Sequence, residues 1–320
     1  MSRLALIGCL ALLAAGCAHR GRQARPAPPV SGVVATFQRQ VINAVDAGEG
    51  DLAIRDLRRR LASDPGNPAV RLELIRRYRE AGFPEVALEH ARLAAERFPE
   101  NPEVRIELAT CLRVLGLRAE AAEILESFFR DHPRSSPEVP AWLGILRDEL
   151  GQWPQGEAAH RAALALAPGR DYLHNNLGYN LLRQGRLQEG RQALERALQL
   201  NPNSAAARNN LGLALAAEGA PALDQFQKAG DPAAAHNNLA CALIEQGRYA
   251  EARKELEIAL GYSRNHPAAL ANLKLISELD GRGTGVELGQ APRSGWSRFW
   301  SGVWRILAGV EQDKSQRPQR

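Results

Sequence analysis

The sequence predicts an all-α protein, a right-handed α-solenoid of about seven helix pairs with a capping helix, followed by a separate C-terminal amphipathic helix. A pattern of Leu, Gly, Ala and Pro returns every 34 residues between residues 34 and 281. Each unit reads as two helices joined by a Gly turn, and the second helix ends near a Pro that cannot continue it. A stripe of Trp residues with helical spacing predicts the separate helix near the C-terminus.

The repeat register is clearest in the C-terminal half, where Leu177 and Gly178 open a pattern that returns at Leu211 and Gly212. The next step, from Leu211 to Leu239, is only 28 residues, so one repeat is shortened. A single helix pair cannot bury its own apolar face, so the repeats must stack to be stable. The predicted repeats lie near residues 34–67, 68–101, 102–136, 137–170, 171–204, 205–232 and 233–266, with a cap at 267–281.

Small residues accompany this pattern at fixed places. Gly or Ala at the eighth position, as at Gly144 and Ala240, lets two helix axes approach closely. Together with the period, these residues resemble the tetratricopeptide repeat over roughly three quarters of the chain. The resemblance implies stacked helix pairs with a concave groove lined by the first helix of each repeat. It also implies a protein that binds a protein or peptide segment in that groove.

The groove candidates lie on the first helices, where the resemblance places positions five, nine and twelve on the concave face. In the later repeats the candidates are Tyr172, Asn175, Tyr179, Leu182, Asn209, Leu213, Asn237, Cys241 and Ile244. Their amides suit the backbone of an extended segment, and their apolar groups suit the side chains of such a segment or an apolar helix. Asparagine also recurs at the sixth position for structural reasons, so these candidates can equally be consensus residues. The sixth-position residues are Asn176, Asn210, Asn238 and Asn272.

The earlier repeats differ in charge. Arg76, Arg79 and Arg113 fall at groove positions there. Guanidinium groups attract carboxylates, so we expect this end of the groove to be basic and to favour an acidic stretch of the partner.

The N-terminus carries a separate signal. A short basic start and an apolar run from Leu4 to Ala15 indicate a signal peptide over residues 1–16, since the run is too short to span a bilayer. Small residues leading into Cys17 resemble the lipobox of bacterial lipoproteins, which implies lipidation of Cys17. The residue after Cys17 is Ala18 and not Asp, and in lipoproteins of this class that implies an outer-membrane location facing the periplasm. Ordinary secretion and a retained anchor stay open as alternatives. Residues 17–30, rich in Arg and Pro, are expected to form a tether.

The C-terminus holds a second unusual segment. A Gly-rich linker over residues 282–295 precedes a Trp-rich amphipathic helix predicted over residues 296–311. Three destinations are open for this helix: the solenoid, the membrane surface or a partner protein. The tail residues that define its apolar stripe are Trp296, Phe299, Trp300 and Trp304.

Composition and motifs favour a binding protein over an enzyme. The chain has 41 Lys plus Arg against 36 Asp plus Glu, and these charges alternate along the helices, so we expect no nucleic acid partner. Metal-ligand motifs, phosphate-binding Gly loops and catalytic constellations are missing from the sequence. We therefore expect no catalysis, cofactor, metal or small-molecule substrate. Cys111 and Cys241 are separated by three other repeats and are expected to be packing residues.

A lipidated cysteine followed by such repeats resembles the pilotin-like lipoproteins of type IV and tight-adherence (Flp) pilus systems. The resemblance implies a protein that binds a secretin subunit or another assembly component and helps to place it in the outer membrane. Two alternatives stay open: a membrane-tethered scaffold for peptidoglycan enzymes, and a structural spacer.

Overall fold

The computed structural model describes Asn43 and residues 51–281, and every regular element within residues 51–281 is an α-helix. The described residues divide into two compact units, one ending at Ala167 and one beginning at Pro168. Within residues 51–281, no helix combines the length and the apolar character that crossing a bilayer requires.

The first unit contains one helix followed by three helix pairs. Its helices are α1 (Leu52–Ser63), α2 (Pro68–Glu80), α3 (Pro84–Arg97), α4 (Pro102–Val114), α5 (Arg118–Asp131), α6 (Glu138–Glu149) and α7 (Trp153–Leu166). Tyr78, Leu112 and Leu125 are fully buried in the continuous apolar core of this unit. Side chains cap the first helices: Asn67 Oδ1 accepts hydrogen bonds from the backbone N–H groups of Ala69 and Val70.

The second unit contains three helix pairs and a final single helix. Its helices are α8 (Asp171–Arg183), α9 (Leu187–Leu200), α10 (Ala205–Ala217), α11 (Leu223–Ala229), α12 (Pro232–Glu245), α13 (Tyr249–Tyr262) and α14 (Pro267–Asp280). Leu273 and Ile276 bury one face of α14, whereas Lys274 and Glu278 keep about 60% of their side chains exposed on another. Helix α14 therefore ends the described stack with a mixed surface, since Leu279 is 49% exposed beside these charged residues.

Glycine makes the turn between the two helices of each pair. Gly82 has a φ of 88° and Gly151 a φ of 73°. A side chain at positive φ would crowd the adjacent backbone, so Gly takes this conformation with the least strain. The same left-handed conformation recurs in the other turns at Gly116, Gly185, Gly219 and Gly247.

Small residues at the eighth position let the paired helices touch. A Cβ atom at Gly178 would lie 2.7 Å from Leu194 Cγ, and one at Gly212 would lie 2.6 Å from a ring carbon of Phe226. Both distances are shorter than van der Waals contact allows, so a larger residue would push the helices apart.

The shortened repeat is visible in the second unit. Helix α11 has 7 residues, whereas the second helices α9 and α13 each have 14. Phe226 compensates for part of the missing helix, because its ring is 1% exposed and packs against Gly212. The shortening predicted from the 28-residue step therefore falls on the second helix.

Several predicted segments lie outside the described residues. These are the signal peptide 1–16, Cys17 with the tether 17–30, the linker 282–295 and the tail helix 296–311. Of the predicted first repeat, 34–67, only Asn43 and the part from Asp51 onwards are described. These assignments stay predictions.

Candidate functional site

Successive first helices of the second unit are joined by a row of side-chain hydrogen bonds. Asn210 Nδ2 on α10 donates to Asn175 Oδ1 on α8 over 2.8 Å. The same contact recurs twice, at 3.0 Å and 2.9 Å, each time from the sixth position of one repeat to the fifth position of the repeat before it. We call this row the asparagine ladder; its members are Asn175, Asn209, Asn210, Asn237, Asn238 and Asn272.

The ladder corrects one prediction about the groove. Asn175, Asn209 and Asn237 were expected to offer their amides to a peptide backbone, but they are only 1%, 8% and 6% exposed. Their side-chain oxygens accept hydrogen bonds from the next repeat, because buried polar groups need partners within the protein. These three residues link neighbouring repeats, and their burial leaves little of their side chains open to a ligand.

The remaining predicted residues of this unit include partly exposed apolar groups. Tyr179 is buried, at 8% exposed. Four largely apolar side chains at groove positions are partly exposed, and we call them the apolar row: Tyr172, Leu182, Leu213 and Ile244. The last three also pack against the buried apolar core of this unit. Positions two, nine and twelve of a helix lie on one stripe, so the row follows one face of α8, α10 and α12. Leu182 also packs towards α9, because a Cβ atom added to Gly190 would lie only 2.7 Å from Leu182 Cδ2.

Helices α8, α10 and α12 converge on this face. Arg183 on α8 and Glu245 on α12 approach to 3.7 Å, although α10 lies between these helices in the stack. The residue of α10 at the same repeat position is the small, exposed Ala217. The face that carries the apolar row is therefore the concave face of this unit.

Cys241, another predicted groove residue, is partly buried beside the ladder. Asn272 Nδ2 lies 3.2 Å from its Sγ atom. Burial raises the pKa of the Cys241 thiol to about 12, and burial raises the pKa of Cys111 to about 12 as well. Both thiols are neutral at physiological pH and act as packing groups, without the thiolate that reactivity requires.

The arginines of the predicted basic end of the groove are each paired with a carboxylate. Arg76 Nε donates to Glu107 over 2.6 Å, and Arg79 Nη2 donates to the same carboxylate over 3.2 Å. Arg113 is held in the same way by both carboxylate oxygens of Glu149. The three arginines therefore form ion pairs between neighbouring repeats, and two carboxylates offset only two of their three positive charges.

The sequence reasoning missed these acidic partners and one buried polar pair. Glu107 and Glu149 lie 31 and 36 residues from the arginines that they bind, one repeat further along the chain. His160 Nε2 lies 2.9 Å from Asp148 Oδ2, and both side chains are buried. In the next repeat Leu194 holds the position of His160. The buried pair could therefore have been suspected from the sequence, because His160 is a polar residue at a repeat position that is apolar elsewhere.

Within residues 51–281, no group of three or more His, Cys, Asp or Glu side chains is arranged to hold a metal ion. The concave face thus offers apolar contacts and ion pairs. Such a surface can bind a protein segment.

Comparison with known proteins agrees with this architecture. Tetratricopeptide repeat models match residues 171–204 in one form, and residues 72–135 and 237–276 in another. A tetratricopeptide repeat protein from Parabacteroides merdae ATCC 43184 aligns with a TM-score of 0.55 and 16% identity, over 76% of this chain and 99% of that one. The Cut9–Hcn1 hetero-tetramer of APC/C aligns with a TM-score of 0.52 and 18% identity, over 73% of this chain and 47% of that one. No curated protein matches the chain in sequence.

These matches support the tetratricopeptide repeat family and confirm the predicted class of an all-α stack of helix pairs. Proteins of this class generally act as non-catalytic scaffolds for protein–protein interaction, and the matches indicate no enzymatic family.

Proposed function

We propose that the chain is a non-catalytic scaffold of the cell envelope whose concave face in residues 168–281 binds a segment of a partner protein. The observation that carries this proposal is the partly exposed apolar row beside a ladder of asparagines that hydrogen-bond one another. Covering apolar groups that are partly open to water on a concave face is favourable, so these groups stabilise a complex with a partner.

The chemistry of the concave face favours apolar side chains as the anchors of the partner. The fifth-position asparagines of the ladder are only 1–8% exposed and already accept from the next repeat, so they offer little to the backbone of an extended peptide. An amphipathic helix satisfies its own backbone and presents one apolar stripe. The apolar row therefore fits a helical segment better than an extended one.

The cellular part of the proposal rests on the N-terminal sequence. Residues 1–16 read as a signal peptide and Cys17 as a lipidation site, so we place the scaffold on the outer membrane, facing the periplasm. The resemblance to pilotin-like lipoproteins suggests a secretin or another pilus component as the partner. In this role the chain would hold the partner near the outer membrane during assembly.

In-cell crosslinking followed by mass spectrometry tests the function. The wild type is compared with Cys17→Ser, which removes the lipid, and with Leu213→Glu, which places a charge in the apolar row. Ile258→Glu is the matched control, because Ile258 is an exposed apolar residue of the second helix α13. We expect a secretin to be captured by the wild type and by Ile258→Glu, and to be lost in the other two variants.

Other outcomes point elsewhere. Capture of wall hydrolases in place of a secretin would indicate a scaffold for peptidoglycan enzymes. Identical captures from wild type and Leu213→Glu would contradict binding through the concave face and would favour a structural spacer.

A further inference from the structure

The chain itself carries a segment whose chemistry suits the apolar row. Residues 296–311 follow the second unit and carry apolar residues at helical spacing: Trp296, Phe299, Trp300, Val303, Trp304, Leu307 and Val310. A helix of 16 residues would be about 24 Å long. The row crosses three first helices, whose axes are typically about 8–10 Å apart, so the lengths match.

Charge also favours this pairing. Residues 291–320 carry six Lys or Arg against two Asp or Glu, a net charge of +4. At the concave side, Glu245 keeps 47% of its side chain exposed and Glu278 keeps 64% exposed. Glu278 lies at position twelve of α14, the position that Ile244 holds in α12. The basic segment would therefore meet two exposed carboxylates, each of which also lies within 4.0 Å of one cation of the repeats, Arg183 or Lys274.

The connection is long enough. Fourteen residues, 282–295, separate Gly281 from Trp296, and an extended chain of that length spans at most about 45–50 Å. The distance from α14 back to α8 is three helix spacings, about 30 Å. The segment can thus reach the whole apolar row from the end of the second unit.

We propose that the Trp-rich segment 296–311 docks on the apolar row of α8, α10 and α12 and competes there with the partner protein. This inference deepens the proposed function, since it gives the same surface an occupant and a regulator within the chain. A partner that binds more tightly than the segment would displace it. The released Trp side chains would then be free for a second contact.

Tryptophan fluorescence of the full-length chain tests docking directly. Three of the five Trp residues lie in the segment, while Trp142 and Trp153 lie in the repeats. We expect acrylamide to quench the emission more strongly in Leu213→Glu than in wild type, because the charge expels the segment. Ile258→Glu should match wild type. Equal quenching in all three chains would overturn the proposal.

A second experiment guards against misfolding of the variants. A synthetic peptide of residues 291–320 is titrated into the chain that lacks these residues, with far-ultraviolet circular dichroism as the folding check. We expect Leu213→Glu to weaken the peptide at least about tenfold, a change of about 1.4 kcal/mol, and Ile258→Glu to leave its Kd unchanged. A peptide that binds anionic phospholipid vesicles but not the protein would overturn the proposal and indicate a membrane-bound tail.

The two proposals fail in different ways. If Leu213→Glu loses the peptide but keeps the captured envelope partner, the segment occupies the row and the partner binds elsewhere. If the Leu213→Glu variant no longer captures the partner but still binds the peptide with the affinity of the wild type, the proposed function holds. Docking of the segment on the apolar row is then wrong.

Discussion

Asn210 donates a hydrogen bond to Asn175 across the boundary between two repeats, over 2.8 Å and with both side chains buried. The contact joins the sixth position of one repeat to the fifth position of the repeat before it. It explains why Asn is useful at both positions, because a single side-chain type can donate in one repeat and accept in the next. The ladder therefore stabilises the stack directly beneath the surface that we propose for binding.

Removing one rung should destabilise the stack. Asn210→Ala leaves Asn175 Oδ1 buried without its donor, and we expect a loss of about 1–3 kcal/mol in the free energy of unfolding. Urea denaturation followed by circular dichroism measures this loss. Gln227→Ala, at an exposed site on α11, should change stability by less than about 0.5 kcal/mol. Equal effects of the two substitutions would show that the ladder contributes nothing specific.

Two glycines within helices should respond in opposite directions. Gly178→Ala places a Cβ atom 2.7 Å from Leu194 Cγ and 3.0 Å from the backbone oxygen of Gly190, so we expect a loss of about 1–3 kcal/mol. Gly261 in α13 has open space around it, and Gly261→Ala should stabilise by about 0.5 kcal/mol. Thermal unfolding reports both. A stabilising Gly178→Ala would contradict the close approach of α8 and α9.

Glu107 should matter more than an ordinary surface carboxylate. It is 7% exposed and accepts from Arg76 and Arg79, whose side chains are 35% and 24% exposed. Glu107→Ala leaves two neighbouring guanidinium groups without this partner. Solvent screens both groups in part, so we expect a loss of about 1–3 kcal/mol, below the cost at a fully buried pair.

The control for Glu107 is Glu123→Ala on the exposed side of α5, which should cost less than about 0.5 kcal/mol. Urea unfolding in 0.05 M and 0.5 M NaCl gives a further check. If the wild type loses its advantage over Glu107→Ala in high salt, the pair is a screened surface contact and the structural role is wrong.

Asp51 predicts a pH dependence at the start of the described stack. The backbone N–H of Ile54 and then the guanidinium of Arg77 lower the pKa of this carboxyl, and Arg77 Nη2 lies 2.8 Å from Oδ2. Because the folded pKa lies below the unfolded value of about 3.9, the ionised carboxylate stabilises the fold above that value. This stability is lost as the pH falls through the folded pKa.

Asp51→Asn keeps a capping side chain but removes the titration. We expect the thermal midpoint of the wild type to fall more steeply than that of Asp51→Asn between pH 4 and pH 2. The two profiles should run parallel from pH 5 to pH 7. Parallel profiles over the whole range would show that the folded pKa of Asp51 is not lowered.

Much of the fold was predictable because it repeats. A glycine such as Gly185 recurs where the chain must take positive φ, and a small residue such as Gly178 recurs where two helices touch. Even the shortened second helix was signalled by the step from Leu211 to Leu239. Local backbone geometry and close packing dictate these residues one at a time, so a single sequence reveals them.

The site was less predictable because its chemistry depends on pairs between repeats. Asn175 and Arg76 both lie at groove positions, yet each forms a hydrogen bond with a side chain of the next repeat. A position on the concave face does not reveal which neighbour reaches it, since that depends on side-chain conformation and the spacing of the helices. Leu213 and Ile244 form no hydrogen bond or ion pair with the next repeat, because their side chains are apolar, and they stay partly exposed.

The most direct test of binding through the concave face uses a photo-crosslinking amino acid placed in living cells at position 213, in the apolar row, or at position 258, on the second helix α13. We predict that position 213 captures a partner protein that mass spectrometry identifies as a cell-envelope component, and that position 258 does not. Capture of the same partner from position 258 alone, or equally from both positions, would contradict binding through the concave face of residues 168–281.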